Sequence, residues 1–203
     1  MISIQNLYKQ FDDKILFEDY NLEIADGEFI VFSGNSGCGK TTLLNMIGGL
    51  ENPDKGSIMI DGVDISKKKN KKNYFTYKVG FLFQNFALLE NKTVRQNLEL
   101  IQKKARTEYS IAEVLEEVGL SEKEETKVYK LSGGEQQRVA LARLMLKKCD
   151  IILADEPTGS LDADNADAVM DILHKINNQG KTIIIVTHSE KIISSEKRVV
   201  KLR

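Results

Sequence analysis

Apolar runs alternate with polar punctuation along this chain of 203 residues, and their periods predict the order of its elements. Ile2 to Tyr8 and Ile15 to Ile24 are short, mixed apolar runs of strand type, and Asp26-Gly27 behind them is a turn signal. Glu28 to Ser33 holds Phe29-Ile30-Val31-Phe32, as expected of a strand buried on both faces of a parallel sheet. Thr41 to Leu50 predicts a helix, and Asn52-Pro53-Asp54-Lys55-Gly56 breaks it. Ser57 to Ile60 returns to strand, and Asp61-Gly62 turns the chain. Val79 to Phe83 is again β-like. From Asn85 to about Lys148 the pattern becomes helical, with segments over Thr93 to Lys104, Ile111 to Val118 and Gly134 to Lys148. Thr93 is placed to cap the first, and Gly119 to stop the second. Strand-like runs at Ile151 to Ala154 and Thr182 to Val186 flank a helix over Ala163 to Asn178. This alternation predicts an α/β protein with a parallel sheet and crossover helices.

One block stands outside the pattern. Ser66 to Asn73 reads SKKKNKKN, five lysines in eight residues. Like-charge blocks of this kind are usually solvated, so an exposed edge is expected, with contact to acidic lipid or a partner as the alternative.

Length and composition narrow the picture. The chain is long enough for one domain, or one core with a small insert. A formal net charge of −1 implies no general attraction to nucleic acid. Apolar residues make up 41%, and no run is long enough to span a membrane. The start, MISIQNLYKQF, lacks a basic region followed by an apolar block, so no signal peptide is expected. Two cysteines, Cys38 and Cys149, make no disulfide framework, which favours a reducing, cytosolic compartment. His174 and His188 are far apart and neither cysteine has a histidine at ligand spacing, so no zinc site is expected.

The chemistry concentrates in GNSGCGKTT, residues 34–42. Gly34, Gly39, Lys40 and Thr41 fit the phosphate-loop pattern G-x-x-x-x-G-K-[ST]. Glycines let successive N–H groups point into one concavity, and the following helix adds the positive end of its dipole. Lys40 is placed to reach β- and γ-phosphates, and the Thr41 hydroxyl to meet Mg²⁺. The bland alternative, a glycine-rich turn with a surface lysine, does not account for a buried-type strand before the loop and an apolar helix after it. Within the loop, Cys38 lies beside Lys40 and the helix start, both of which favour a thiolate; the alternative is a small, packed, inert sulfur.

A second constellation, DIILADEPTGSLD, begins at Asp150. Ligand groups collect at the carboxyl ends of parallel strands, so Asp155 and Glu156 are expected at the crevice that holds the phosphate loop. One carboxylate can hold Mg²⁺ and the next can polarise an attacking water. A third, LSGGEQQRVALAR, begins at Leu131. Ser132 can cap the helix that follows, and Gly133 and Gly134 permit close approach at its start. A second anion-ready helix start makes sense if it serves another nucleotide.

Taken together, these motifs resemble the nucleotide-binding subunits of ATP-binding-cassette transporters, in order and spacing over nearly the whole chain. LSGGEQQ matches that family's signature, Gln84 its Q-loop glutamine, Asp155-Glu156 its Walker B pair, Ser160-Leu161-Asp162 its D-loop and His188 its switch histidine. The resemblance implies a P-loop NTPase core with a mainly parallel sheet, an N-terminal antiparallel β-subdomain and an inserted α-helical subdomain. Residues 1–84 and 149–203 would form the core with its β-subdomain, and 85–148 the helical part. It further implies ATP as substrate, with Phe11 stacking on adenine and Gly34, Asn35, Ser36, Gly37, Cys38, Gly39, Lys40, Thr41 and Thr42 around the phosphates. Thr41, Gln84 and Asp155 would serve Mg²⁺, and Lys40, Gln84, Glu156 and His188 catalysis. Ser132, Gly133, Gly134 and Asp162 would act on nucleotide across a head-to-tail homodimer formed on ATP binding. A separate transmembrane permease, docked near Gln84, would hold the subunit on the inner face of the cell membrane.

Within the family, VGFLFQNFALLENKTVRQNLEL resembles the branch serving lipoprotein release, macrolide-type efflux and bacteriocin or peptide export, with Glu90 where proline is common. Phe11 replaces a frequent tyrosine, with Tyr8 as its rival. Cys38 replaces a frequent serine, and Ser189 a usual aspartate. A mechanotransmission ATPase shares these motifs. A DNA-maintenance ATPase would need a long coiled coil, and only 46 residues, 85 to 130, separate Gln84 from Leu131.

Overall fold

The computed structural model describes residues 1–202. Its first part contains β1 (Ile2–Phe11), β2 (Lys14–Ile24), β3 (Phe29–Ser33), α1 (Lys40–Ile47), β4 (Lys55–Ile60), β5 (Val63–Asp64), α2 (Lys68–Tyr77) and β6 (Val79–Leu82). After these come α3 (Val94–Glu99), α4 (Ile111–Glu117), α5 (Gly133–Leu146), β7 (Ile151–Asp155), α6 (Ala163–Asn178), β8 (Thr182–Val186), α7 (Glu190–Ser195) and β9 (Val199–Lys201). The outcome is the expected α/β architecture: an antiparallel sheet in the order β2-β1-β4-β5 and a wholly parallel sheet in the order β6-β7-β8-β3-β9.

The parallel sheet explains its own apolar runs. Successive side chains of a strand point to opposite faces. Val31, Ile152, Ala154, Ile183 and Ile185 enter one apolar cluster together with side chains of α3 to α6. Ile30, Phe32, Leu153, Ile184 and Val186 enter the other, shared with α1 and the antiparallel sheet. Both faces are covered, so both phases of the alternation must be apolar. Each fully buried side chain of this size contributes about 1.5–3 kcal/mol relative to exposure. In the antiparallel sheet the register aligns Ile2 with Ile24 and Ile60, and Ile4 with Leu22 and Ile58.

The helices of the middle region begin at side-chain caps. Thr93, Ser110 and Ser132 each accept a bond from the backbone N–H three residues on. Gln96, Glu113 and Glu135 each accept one in return from the cap's own N–H. The expected helix over 93–104 is cut to α3. Arg106 bonds the Ile101 and Glu99 carbonyls, ending the helix, and pairs with Lys147 in an isolated bridge. Leu100 is correspondingly exposed rather than aimed into a core.

The lysine block is mostly exposed, as expected, but it is also helical. It opens α2, because the residues after it anchor a helix: Tyr74 is buried and its hydroxyl donates to the Ile47 carbonyl at 2.8 Å. Asn70 also donates to the Asp64 carbonyl at 2.7 Å. The lysines themselves are mostly exposed, as their charge demands. The short α7 and β9 carry too little periodic signal to be read in advance; β9 forms by pairing with β3 at the sheet edge. Cys149 is buried, which pushes its thiol pKa up.

The Tyr74 bond yields a stability test. Tyr74→Phe keeps the ring but strands the Ile47 carbonyl, so an expected loss of about 1–2 kcal/mol should appear as a lower urea midpoint with unchanged m-value.

Candidate functional site

All five parallel strands point the same way, so their carboxyl ends share one edge, and the predicted site residues emerge there. Strand β3 runs into the loop 34–39, β7 ends at Asp155, and β8 lies between them and leads to Thr187 and His188. The loop turns through left-handed backbone at Gly37 (φ 75°) and at Gly39 (φ 97°), the residue preceding α1. A Cβ on Gly39 would sit 2.9 Å from the Phe17 ring, so neither conformation nor space admits another residue. Gly39 supplies no side-chain cap, and the N–H groups of the first turn of α1 stay open to an acceptor. Lys40 curls over the loop and donates to the Gly34 and Asn35 carbonyls at 2.8 and 3.0 Å. Cys38 is half-buried against the apolar cluster beneath, its Sγ 3.9 Å from Lys40 Nζ.

Opposite the loop stand two carboxylates in different settings. Asp155 Oδ1 accepts from the Thr41 hydroxyl at 3.3 Å. Burial raises the Asp155 pKa, and the Glu156 charge adds to this, against the opposing pull of Thr41 and Lys40. Glu156 has φ 46°, left-handed and strained for a non-glycine residue. Its N–H donates to the Val186 carbonyl at 2.9 Å, and its carbonyl accepts from Gly159 at 3.1 Å. Its side chain is oriented by two donors. Thr187 O–H reaches Oε2 at 3.1 Å, and His188 Nδ1 lies 2.7 Å from Oε1, where a carboxylate oxygen requires Nδ1–H to donate. Ser189 donates its N–H to Thr187 Oγ1 at 3.1 Å, tying the segment around His188.

A cleft of about 420 Å³ lies between these walls, lined by Phe11, Lys14, Leu16, Ser36, Gly37, Gly39, Lys40, Thr41, Thr42, Glu156 and Val186. Phe11 presents a half-open ring there, with Lys9 Nζ 4.7 Å from its centroid. Tyr8 does not line it; its hydroxyl donates to Gln10 at 2.7 Å and Lys55 covers its ring. Sequence reasoning overlooked Lys14, which donates to the Gly37 carbonyl at 2.8 Å, because a lone lysine on a strand carries no pattern.

The other predicted residues lie outside this cleft. Gln84, just beyond the end of β6, is exposed, and Arg143 holds the turn after it through the Phe86 and Ala87 carbonyls. Ser132 and Gly133 are exposed at the start of α5. The close approach at Gly134 is to Asn165 of the same chain, whose side chain would lie 2.5 Å from a Cβ at that position. Asp162 caps α6 by accepting from the Asn165 N–H at 2.9 Å, which lowers its pKa. Gln137, the last residue of LSGGEQQ, has a contact that the sequence does not show. It is fully buried and donates from Nε2 to the Pro157 carbonyl at 2.7 Å, joining α5 to the segment behind Glu156. Its Oε1 has no partner among the described residues.

The donor set fits a nucleoside triphosphate: open helix-start N–H groups, the Lys14 and Lys40 ammoniums and the hydroxyls of Ser36, Thr41 and Thr42, with an aromatic face at the mouth. No cluster of three or more His, Cys, Asp or Glu suited to a metal exists among the described residues. A hydroxyl and a carboxylate side by side suit Mg²⁺, which keeps several waters and shares phosphate oxygens rather than needing a protein cage.

A family model described as "ABC transporter" matches residues 17–159. The chain is 37% identical, over its whole length, to the macrolide export ATP-binding/permease protein MacB of Campylobacter jejuni, of which it covers 33%. It thus spans about a third of the length of the MacB relatives it matches. It is 39% identical to the ABC transporter ATP-binding protein MJ1508 of Methanocaldococcus jannaschii, covering 100% of this chain and 96% of that one. Among solved structures, a dimeric structure of MJ0796, a bacterial ABC transporter cassette, matches with a TM-score of 0.87 and 35% identity over 100% of this chain and 94% of that one. A post-hydrolysis dimeric state of the same cassette, bound to ADP and Pi, matches with a TM-score of 0.86 and 33% identity.

Gln137 permits a test of the loop's anchorage. Gln137→Met removes an unpartnered oxygen but strands the Pro157 carbonyl. The two should nearly cancel, leaving global stability within about 1 kcal/mol. Amide exchange at Gly159 and Leu161 should nonetheless accelerate roughly five- to tenfold, read by hydrogen-exchange NMR.

Proposed function

This chain belongs to the ABC transporter family, and we propose that it is the ATP-hydrolysing motor subunit of an exporter, dimerising on ATP and driving a separate membrane-spanning permease. The observation that carries the reading is that Lys40, Thr41 and Glu156 line one cleft, with Asp155 bonded to Thr41 and His188 to Glu156 behind them, and with the capped start of α5 outside it. Phosphoryl transfer needs positioning and charge neutralisation more than covalent chemistry, and the cleft supplies both.

In this reading the N–H groups at the start of α1 and the Lys40 ammonium hold the β- and γ-phosphates, and Phe11 stacks on adenine. Thr41 and Asp155, with Gln84 reaching in from the end of β6, would hold Mg²⁺, which neutralises charge on the phosphates when bound. Glu156 accepts a proton from the attacking water as its oxygen bonds to the γ-phosphorus. The bond to the bridging oxygen breaks, and ADP leaves with its electron pair. His188, 2.7 Å from Glu156, keeps the carboxylate aimed. Ser132 uses its oxygen to accept from Glu135, which leaves its O–H free to donate. With Gly133, Gly134 and Asp162, it would close on the γ-phosphate held by a second copy, since no such residue lines the cleft of its own chain.

No helix among the described residues is long and apolar enough to cross a membrane; in this reading the membrane crossing belongs to the partner. A groove of about 410 Å³ beside Gln84, lined by Phe75, Phe81, Phe83, Leu100 and Ile101 among others, offers that partner an apolar seat. The subunit would then sit on the inner face of the membrane. Export is favoured by the MacB relatives, whose name joins an ATP-binding part to a permease. Copurification of a membrane partner followed by reconstituted transport tests the reading as a whole; a partner that moves no cargo would favour mechanotransmission.

Three substitutions test the chemistry. Glu156→Gln should keep ATP affinity but slow hydrolysis about 10²–10⁴-fold, and should form a dimer with ATP and not with ADP in sedimentation. Wild-type turnover in that variant would remove Glu156 as the base. Phe11→Ala should raise the ATP dissociation constant about tenfold, against little change for Tyr8→Ala in the same titration.

A further inference from the structure

The start of α2 works against its own helix. Lys67 precedes it without a side-chain cap, and its first turn carries no acidic residue, so Lys68 and Lys69 face the positive end of the dipole. Lys67 and Lys71, and Lys68 and Lys72, are spaced four apart, where like charges repel. Lys67 pairs with Asp64 at 3.3 Å, and Lys71 turns inward to the Gly49 carbonyl and Asn52. Lys68, Lys69 and Lys72 are exposed and have no ion pair among the described residues. The whole chain is close to neutral at −1, so this is a local concentration of charge and not part of a general basicity.

The far end of the same helix is fixed. Tyr74 is buried, Lys147 Nζ donates to the Phe75 carbonyl at 2.7 Å, and Phe75 and Thr76 line the apolar groove beside Gln84. From Lys69 to Phe75 is six residues, about 9 Å of helix. That is comparable to the distance, about 8–10 Å, over which charge acts at physiological ionic strength. Basic clusters on a helix next to a membrane attract anionic headgroups.

We propose that the Lys68, Lys69 and Lys72 face of α2 rests on anionic phospholipid of the bilayer around the permease, an electrostatic contact that orients the motor beneath its partner. This deepens the motor reading and rests on it for the placement of the groove, but the contact is measurable without nucleotide or permease. Purified chain should cosediment with vesicles of phosphatidylcholine containing a quarter phosphatidylglycerol. The partition coefficient should be at least about tenfold above that for phosphatidylcholine alone at about 50 mM salt, and should fall steeply at about 300 mM.

The triple variant Lys68→Glu, Lys69→Glu, Lys72→Glu should abolish the preference, and the triple arginine variant should retain it. Both should hydrolyse ATP as wild type does, because none of these lysines lines the nucleotide cleft. Equal binding to both vesicles, or undiminished binding by the glutamate variant, overturns the proposal. If neutral vesicles carrying the permease capture the chain only when these lysines are present, while anionic lipid alone does not, the surface belongs to an acidic segment of the partner and the lipid contact is likewise overturned. Loss of vesicle binding with intact ATP-driven dimerisation leaves the motor reading standing, so the two fail separately.

Discussion

The parallel sheet, buried on both faces, is the constraint from which the rest follows. Because β3, β7 and β8 are hydrogen-bonded in register, Val31 beside Ile185 and Ile185 beside Ala154, their carboxyl ends cannot move independently. The loop after β3, the carboxylates after β7 and the histidine after β8 are therefore delivered to one edge at fixed spacing. Neither Thr41–Asp155 nor Glu156–His188 is a strong contact by itself; one joins a hydroxyl to a carboxylate and the other is largely exposed on its histidine side. Two apolar clusters fix the backbone that makes these contacts meet. A slip of one residue in β7 would exchange the clusters into which Leu153 and Ile152 point, and would turn Asp155 away from Thr41.

The site stores strain on that frame. Glu156 in left-handed backbone costs about 1–3 kcal/mol, a cost sustained only where neighbours over-determine the conformation. Here Val186, Gly159 and, through Pro157, Gln137 do so. Gln137 stands on α5, little more than one turn beyond the Ser132 cap. In the proposed dimer, α5 would feel the γ-phosphate of one nucleotide at its start and hold the loop of the other catalytic carboxylate at its first turns. A rigid helix joining two such points transmits displacement without any chain of side chains between them.

What can be read in advance depends on how local the cause is. The Gly34–Thr42 loop is local: its glycines answer to positive φ and to the nearness of Phe17, and the spacing alone identifies them. The buried strands are also legible, since two covered faces leave only apolar positions. Helix α2 is not, because its anchor is the tertiary bond from Tyr74 to Ile47, and its sequence taken alone disfavours a helix. The truncation of α3 depends on Arg106, a residue beyond the expected helix. The packing of Gly134 on Asn165 is also not legible, a contact that exists only because α5 and α6 meet there. Gln137 and Arg143 lie within LSGGEQQRVALAR, but the motif does not show what they bond, since a polar residue on a helix shows its partner only after folding.

The separation of the two anion-ready helix starts is the last consequence of this geometry. The start of α1 is placed by β3 at the sheet edge, whereas the start of α5 is placed by the helical region and by its contact with α6. Both present positive dipole ends, that of α1 uncapped and that of α5 with its first two N–H groups left open beside the Ser132–Glu135 capping box. If one chain aimed both at a single concavity, they would repel unless an anion lay between them, and folding would depend on the anion. Held apart in one chain, they fold without that penalty. Brought together from two chains in the proposed dimer, the same repulsion would become a requirement for the γ-phosphate. The nucleotide's charge would then supply the attraction, and departure of the phosphate after hydrolysis would return the repulsion. On the proposed reading, a cycle of association and release would need no further switch than where the sheet and the helical region place two helix ends.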